Sequence, residues 1–219
     1  NCDGLVTVEI PETITSIGSE AFCYCSSLKT LTLPEKPIQL GSSAFGSCTE
    51  LSEVTLPIDT DYSANPFYAT YVNTIHYTYG ATGVMPDYTA DDDSATSYTK
   101  ALQYPSVKTV DFEEGITRIG NNAFYIEPGT SLKSKLTSVT LPSTLQSIGG
   151  HAFYNCDALT DITLPEGLKS IGTWCFGECD GFTKLIKLPK TLIAIPAHCF
   201  WNCDGLVTVE IPETITSIG

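Results

Sequence analysis

The chain has 219 residues, 42% of them hydrophobic and 16% charged, so it carries enough apolar side chain to bury a core and lacks the composition of a disordered segment. Its 25 acidic against 11 basic residues give a formal net charge of −14, which repels phosphate backbones and anionic headgroups and speaks against nucleic acid as a partner. No apolar run reaches the ~18 residues of a spanning helix, so no membrane insertion is expected.

The opening residues, NCDGLVTVEIP, lack the basic and apolar blocks of a signal peptide. They start inside a repeat, so any export signal is expected upstream. The segment CDGLVTVEIPETITSIGSEAFCYC from Cys2 is followed by CSSLKTLTLPEKPIQLGSSAFGSC from Cys25, and the same text returns as CDALTDITLPEGLKSIGTWCFGEC from Cys156 and CDGFTKLIKLPKTLIAIPAHCFWNC from Cys179. The shared pattern is C-x-x-L-x-x-L-x-L-P-x-x-L-x-x-I-G-x-x-A-F-x-x-C. Cys2, Cys25 and Cys48 are spaced by 23 residues, as are Cys156 and Cys179, while Cys203 follows Cys179 by 24. A fixed period of this length is the mark of a solenoid.

Each part of the unit has a physical reading. In the first strand Val8 and Ile10 point to one side and Thr7 and Glu9 to the other, the alternation of a half-buried strand. Pro11, Pro34, Pro57, Pro142, Pro165, Pro189 and Pro212 close that strand in their units, because proline cannot donate to a ladder. The I-T-S-I-G segment turns the chain, with Gly18, Gly41, Gly120, Gly149 and Gly172 expected at positive φ. A-F-x-x-C then supplies a short helical or irregular return. Stacked units bring like side chains roughly 4.8 Å apart, into leucine, phenylalanine and cysteine columns.

Between residues 58 and 106 the period fades and eight of the eleven tyrosines gather. Pro66 and Phe67 stand where A-F belongs, and Ile75 and Tyr77 alternate as a strand. Asp93 is suited to cap a helix over 94–103 that buries Ala95, Tyr98 and Leu102. Tyrosine pairs a large apolar face with a polar tip, so these rings either cover a distorted core or, in an exposed subset near Tyr88, bind a partner. Asp87, Asp91, Asp92 and Asp93 either gather around calcium or form a solvated acidic loop; they lack the D-x-D-x-D-G spacing that makes oxygens converge.

Beyond the insertion, one unit runs through Val107, Val110, Phe112, Ile116, Ile119, Gly120, Ala123 and Phe124, and the next through Leu136, Val139, Leu141, Pro142, Leu145, Ile148, Gly149, Ala152 and Phe153. A second insertion, YIEPGTSLKSK, follows Phe124. An extra residue between Phe182 and Pro189 predicts a bulge. Residues 1–18 recur letter for letter as 202–219, which fits either a longer duplication or an assembled sequence. No polar capping unit flanks them, so end-to-end self-stacking is expected.

These signatures strongly resemble the BspA-like, or Treponema-type, leucine-rich repeats, over about 170 of the 219 residues. The resemblance implies a right-handed solenoid with a parallel sheet on one face, in a family of mostly secreted or surface-anchored microbial proteins often linked to adhesion. The expected layout is one leucine-rich repeat domain over 1–219: repeats at 1–57, a degenerate repeat with the insertion at 58–106, and repeats at 107–219, truncated at both ends.

The period places Cys2, Cys25, Cys48, Cys156, Cys179 and Cys203 in one interior column of free thiols, leaving a bridge between Cys175 and Cys199 sterically open and Cys23 off every column. No zinc spacing, no cofactor motif and no catalytic motif occurs, so no metal, cofactor or enzymatic activity is expected. His151 and His198, with Trp174 between them, read as surface decoration, and His76 has no partner evident in the sequence. The outward strand positions are Thr7, Glu9, Thr30, Thr32, Glu53, Thr55, Thr109, Asp111, Ser138, Thr140, Asp161, Thr163, Lys184, Lys187, Thr208 and Glu210. That carpet of hydroxyls and carboxylates is either a recognition surface or β-propensity on a solvent side. Three functions follow: an extracellular or cell-surface module binding a protein or glycan through this face and the insertion, a structural spacer displaying other domains, or calcium-assisted carbohydrate recognition.

Overall fold

The computed structural model describes residues 2–88, 106–127, 129 and 134–219. The calcium candidates Asp91, Asp92 and Asp93 and the helix expected over 94–103 lie outside them. The described residues form short strands of two to five residues joined by turns, without a helix.

The strands fall into two sets, and every pairing is parallel. The L-P segments give β2 (Thr30–Thr32), β4 (Glu53–Pro57), β5 (Thr74–Thr78), β6 (Thr109–Phe112) and β8 (Ser138–Thr140), hydrogen-bonded in that order, and β11 (Ile186–Lys187) with β13 (Val209–Glu210). The I-G segments give β1 (Ser16–Ile17) with β3 (Gln39–Leu40), then β7 (Arg118–Ile119), β9 (Ser147–Ile148) and β10 (Ser170–Ile171), then β12 (Ala194–Ile195) with β14 (Ser217–Ile218). A regular repeat therefore contributes a rung with a strand position on two faces, and the paired rungs stack in register.

Core and return arms repeat in the same way. The amide of the first apolar residue donates to the cysteine carbonyl three residues back in rung after rung: Leu5 to Cys2, Leu28 to Cys25, Leu51 to Cys48, Leu159 to Cys156, Phe182 to Cys179. Leu28 and Leu51 are fully buried in one core cluster, and Leu5 packs against it. Phe22, Phe45 and Phe67 form one pile with ring centroids 5.3 and 5.6 Å apart, and Phe124, Phe153, Phe176 and Phe200 form another at 5.3, 5.7 and 5.7 Å. The arms that carry these rings are tied across rungs as well, Phe22 donating its amide to the Ala44 carbonyl at 2.7 Å and Phe153 to that of Cys175 at 2.9 Å.

Where the period fades, the described residues still pair into the ladder. In β5, Ile75 sits between Val54 and Val110, and Tyr77 between Leu56 and Phe112. Pro66 accepts the Phe45 amide, so Pro66 and Phe67 occupy the A-F place, and the buried Tyr62 hydroxyl donates to the Pro57 carbonyl at 2.8 Å. At the other irregularity, the extra residue is taken up by a bend at Lys184, which leaves Leu185 52% exposed beside the buried Ile186.

The glycine expectation is corrected. None of Gly18, Gly41, Gly120, Gly149 and Gly172 has a positive φ; that conformation falls two residues later, on Glu20, Ser43, Asn122, His151 and Trp174, with φ between 53° and 59°. There the backbone turns its amide onto the next rung, as when His151 donates to the Thr173 carbonyl at 3.0 Å. The glycines answer a different need: a Cβ on Gly41 would stand 2.2 Å from the Ser19 nitrogen, and one on Gly120 1.9 Å from the Pro86 oxygen. The column two residues on carries His151, Trp174 and His198, whose rings stack with centroids 6.1 and 4.1 Å apart.

All nine cysteines are free thiols, Cys175 and Cys199 included. Cys25, Cys48, Cys156 and Cys179 are buried in the expected column, while Cys2 is exposed and Cys203 half-buried. The thiol also has a polar role: Cys48, Cys179 and Cys203 donate to the carbonyls of Phe22, Phe153 and Phe176 at 3.2, 3.1 and 3.0 Å, each time the phenylalanine of the preceding rung. Burial pushes the Cys48 thiol up to about 11 and the Cys156 thiol up to about 12, so both are neutral packing groups at pH 7.

Close approach between rungs sets the expected response to substitution. Gly41→Ala is expected to lower the unfolding free energy by about 1–3 kcal/mol, as overpacked sites do, whereas Gly18→Ala, with nothing within 4 Å of its Cβ, leaves it unchanged or slightly raised; denaturant titration compares the two. Under a water-soluble alkylating reagent, Cys2 reacts in the folded protein and Cys156 reacts only as the protein unfolds, a difference read by peptide mass mapping.

Candidate binding face

The outward residues of the L-P strands form two rows. Thr30, Glu53, Thr74, Thr109 and Ser138 pair in sequence along one, and Thr32, Thr55, His76, Asp111 and Thr140 along the other. Glu9 extends the second row by an isolated bridge to Thr32, with Thr7 two residues before it. Because side chains alternate across a strand, the residues between these point into the core, and Leu31, Val54, Ile75 and Val110 are buried. Thr7, Glu9, Thr30, Thr32, Glu53 and Thr140 are exposed and Thr55, Thr109 and Asp111 half-buried.

Further along, the face loses its regular pairing. Asp161 and Thr163 lie in a stretch between β8 and β11 that forms no ladder, although Ile162 and Leu164 beside them are buried as in a strand. Asp161 is joined to Lys184, whose side chain reaches back one rung from the bend. Lys187 then pairs with Glu210 in β11 and β13.

His76 lies on the same outward row, between Thr55 and Asp111. Its Nε2 lies 3.4 Å from Glu53 Oε1 and its Nδ1 3.1 Å from Asp111 Oδ2, so the imidazole bridges carboxylates from the rungs on either side. All three side chains are between a third and about half exposed, and such pairs contribute no more than about 1 kcal/mol each. The signal was present in Thr74-Ile75-His76-Tyr77: once Ile75 and Tyr77 point inward, His76 points out.

The insertion supplies a different set of tyrosines from the one expected. Tyr88 packs against the core, with its hydroxyl buried, and burial pushes that phenol well above the ordinary tyrosine range. It packs on the core, and among the described residues of the insertion the exposed rings are Tyr68, Tyr71 and Tyr79, at 53%, 62% and 41%. Asp87, considered as a calcium ligand, is engaged by Arg118 and by the Asn121 amide at 2.8 Å. Its partial burial would raise its pKa, but those two donors outweigh burial and hold the carboxyl below the ordinary range. Asp59 is likewise committed, accepting from the Ala81 and Thr82 amides and the Thr82 hydroxyl at 3.0, 2.9 and 2.8 Å to fix the loop after β5. Among the described residues no group of His, Cys, Asp or Glu side chains is placed to hold a metal ion.

A family model described as BspA type Leucine rich repeat region, in 6 copies, matches residues 1–128 and 125–219. No curated protein matches the chain. Among solved structures it is similar to the T. pallidum leucine-rich repeat protein TpLRR, with 20% identity and a TM-score of 0.47 over 69% of this chain and 75% of that one. It is also similar to a leucine rich cell surface protein of Faecalibacterium prausnitzii A2-165, with 21% identity, a TM-score of 0.45 and coverage of 98% of this chain and 64% of that one. The pneumococcal vaccine antigen PcpA shares 17% identity at a TM-score of 0.43 over 95% of this chain and 55% of its own.

If the Glu53, His76 and Asp111 ladder faces solvent, a double-mutant cycle between His76→Ala and Asp111→Ala gives a coupling below about 1 kcal/mol that shrinks with added salt. A larger coupling, indifferent to salt, would mark the ladder as a sheltered structural network and remove it from the binding face.

Proposed function

Because the chain belongs to the BspA-type leucine-rich repeat family, we propose that it is an extracellular, surface-displayed interaction module that binds a host or microbial protein or glycan, and that it is not an enzyme. The observation that carries this reading is the pair of in-register rows on the L-P strands, Thr30 to Ser138 and Thr32 to Thr140, which offer hydroxyls and carboxylates over five consecutive rungs. Individually weak hydrogen bonds repeated at strand spacing sum over a long footprint, and a row of small polar side chains costs little conformational entropy to order. The exposed Tyr71 and Tyr79, which flank β5 in the chain, add apolar contact area next to that strand.

The rungs wind as a right-handed solenoid with a 23-residue period, interrupted by the longer middle units, so the face is extended along the stack. A net charge of −14 selects against polyanionic partners and favours neutral or basic ones. No helix among the described residues is long and apolar enough to cross a membrane. The burial of most of the thiols suits an oxidising exterior, since Cys156, Cys175 and Cys179 are closed to exchange while the fold holds.

A spacer that merely extends other domains needs the stack but not the chemistry of its outward rows. Beads carrying the 219-residue chain, scored for attachment to cultured epithelial cells, separate the two. The interaction reading expects attachment that falls several-fold with the paired change Thr32→Arg and Thr55→Arg at an unchanged melting temperature. Absence of attachment, or attachment indifferent to that pair, favours the spacer. Point changes serve better than excision of the insertion, because part of that segment is β5, a rung that both neighbours require.

A further inference from the structure

Polar side chains buried in the stack mostly have a backbone partner: Thr70 donates its hydroxyl to the Phe67 carbonyl at 2.6 Å, Asn155 its amide to the Ile126 carbonyl at 3.1 Å, and Tyr62 its hydroxyl to the Pro57 carbonyl. Thr60, Tyr77 and Tyr88 depart from this. Each has a buried hydroxyl with no hydrogen-bond partner among the described residues, and Thr60 and Tyr77 are each only 1% exposed. Thr78 has such a hydroxyl too, but it follows Tyr77 on β5 and so points to the opposite face. Packing alone gives the Tyr77 oxygen no use, since Leu56 and Phe112 fill the same inward row on either side and the Phe112 ring stacks on it at 5.3 Å.

These hydroxyls belong to one place. Just after β4 the Pro57 carbonyl takes both the Thr60 amide, at 3.3 Å, and the Tyr62 hydroxyl. Leu56 and Pro57 pair across the ladder with Tyr77 and Thr78, which brings Tyr77 alongside. The Thr60 hydroxyl is close enough to the Tyr62 phenol to favour its charged form, and Tyr88 acts electrostatically on Tyr62 and on Tyr77. Burial pushes all three phenols well above their ordinary range, so each stays neutral and can both donate and accept. A hydroxyl so placed gave up its solvent on folding and costs stability until hydrogen bonding is restored. We propose that Thr60, Tyr77 and Tyr88 together bind ordered water inside the core, with the Tyr62 hydroxyl and the Pro57 carbonyl as its wall. A buried water makes about three hydrogen bonds, which the three free hydroxyls supply. The location fits the topology. Among the described residues, strand pairing along the I-G segments stops after β3 and resumes, through the bridge of Val84 to Arg118, at β7. Water shared by the turn after β4, by β5 and by the Tyr88 segment ties together units that this second ladder leaves unpaired.

Tyr77→Phe and Tyr88→Phe each remove one oxygen and keep the ring. With water bound, each change lowers the melting temperature of the 219-residue chain by about 2–4 °C. The double variant falls by less than the sum of the two, because both hydroxyls hold the same water. Bare hydroxyls give the opposite sign, since phenylalanine relieves the core of a desolvation cost. A melting temperature that rises or stays put in either single variant therefore overturns the proposal, and so does strict additivity in the double. A crystal structure of the parent chain supplies the direct readout: solvent density is expected within hydrogen-bond distance of Thr60 Oγ1, Tyr77 Oη and Tyr88 Oη. Hydroxyls bonded directly to one another, or no density between them, would refute it.

Discussion

Phe45 lies on Phe22 and beneath Phe67, and neither contact exists unless three successive backbones are held at strand spacing. That dependence of each rung on its neighbours is the constraint from which the rest of the molecule follows. A single rung has two short strands and a return arm around one row of apolar side chains, too little to close a core alone. Stability accrues as interfaces between rungs, and the backbone must come close enough for those interfaces to form. The glycines at 41, 120, 149 and 172 are among the places where that approach is tight, each within 2.4 Å of a neighbouring rung's backbone if given a Cβ.

The same constraint explains how irregular units are tolerated. Inserted residues can leave the stack as loops provided that the strand positions return to register, as β5, β6 and β8 do although their spacing in sequence is unequal. The cost appears in the aromatic rows: the pile from Phe22 to Phe67 and the pile from Phe124 to Phe200 do not join, and between them Tyr77 stacks on Phe112, which meets Phe124 edge to face at 81°. The rows of polar side chains on the outer face cross this zone unbroken, because register there is set by backbone pairing and not by what fills the interior.

Most of this was legible in the sequence, because a repeat aligned on itself exposes which positions face inward. Leu28, Leu51, Phe45 and Phe153 could be placed in rows from spacing alone, and so could Pro66 and Phe67 in a unit that had lost its cysteine. What spacing could not resolve was the reason for a residue type. Gly41 and Gly172 are demanded by a neighbour's backbone, and a single rung read alone suggests a turn conformation that in fact falls on Ser43 and Trp174. His76 shows no partner in the sequence because Glu53 and Asp111 come from units 23 and 35 residues away across the faded stretch. Tyr88 looks like a surface group by the company of charges around it, yet the loop fixed by Asp59 and by Asp87 with Arg118 draws it against the core.

The stacking of Trp174 between His151 and His198 gives the molecule an optical gauge. The indole lies 4.1 Å from the His198 ring, and one that leaves such a pile shifts its emission as water reaches it. Burial keeps the His151 ring on the other side neutral to lower pH than an ordinary histidine. Trp201 packs edge-on 5.1 Å away, so the chain's two indoles report together on the parting of the rungs that carry residues 174 and 201.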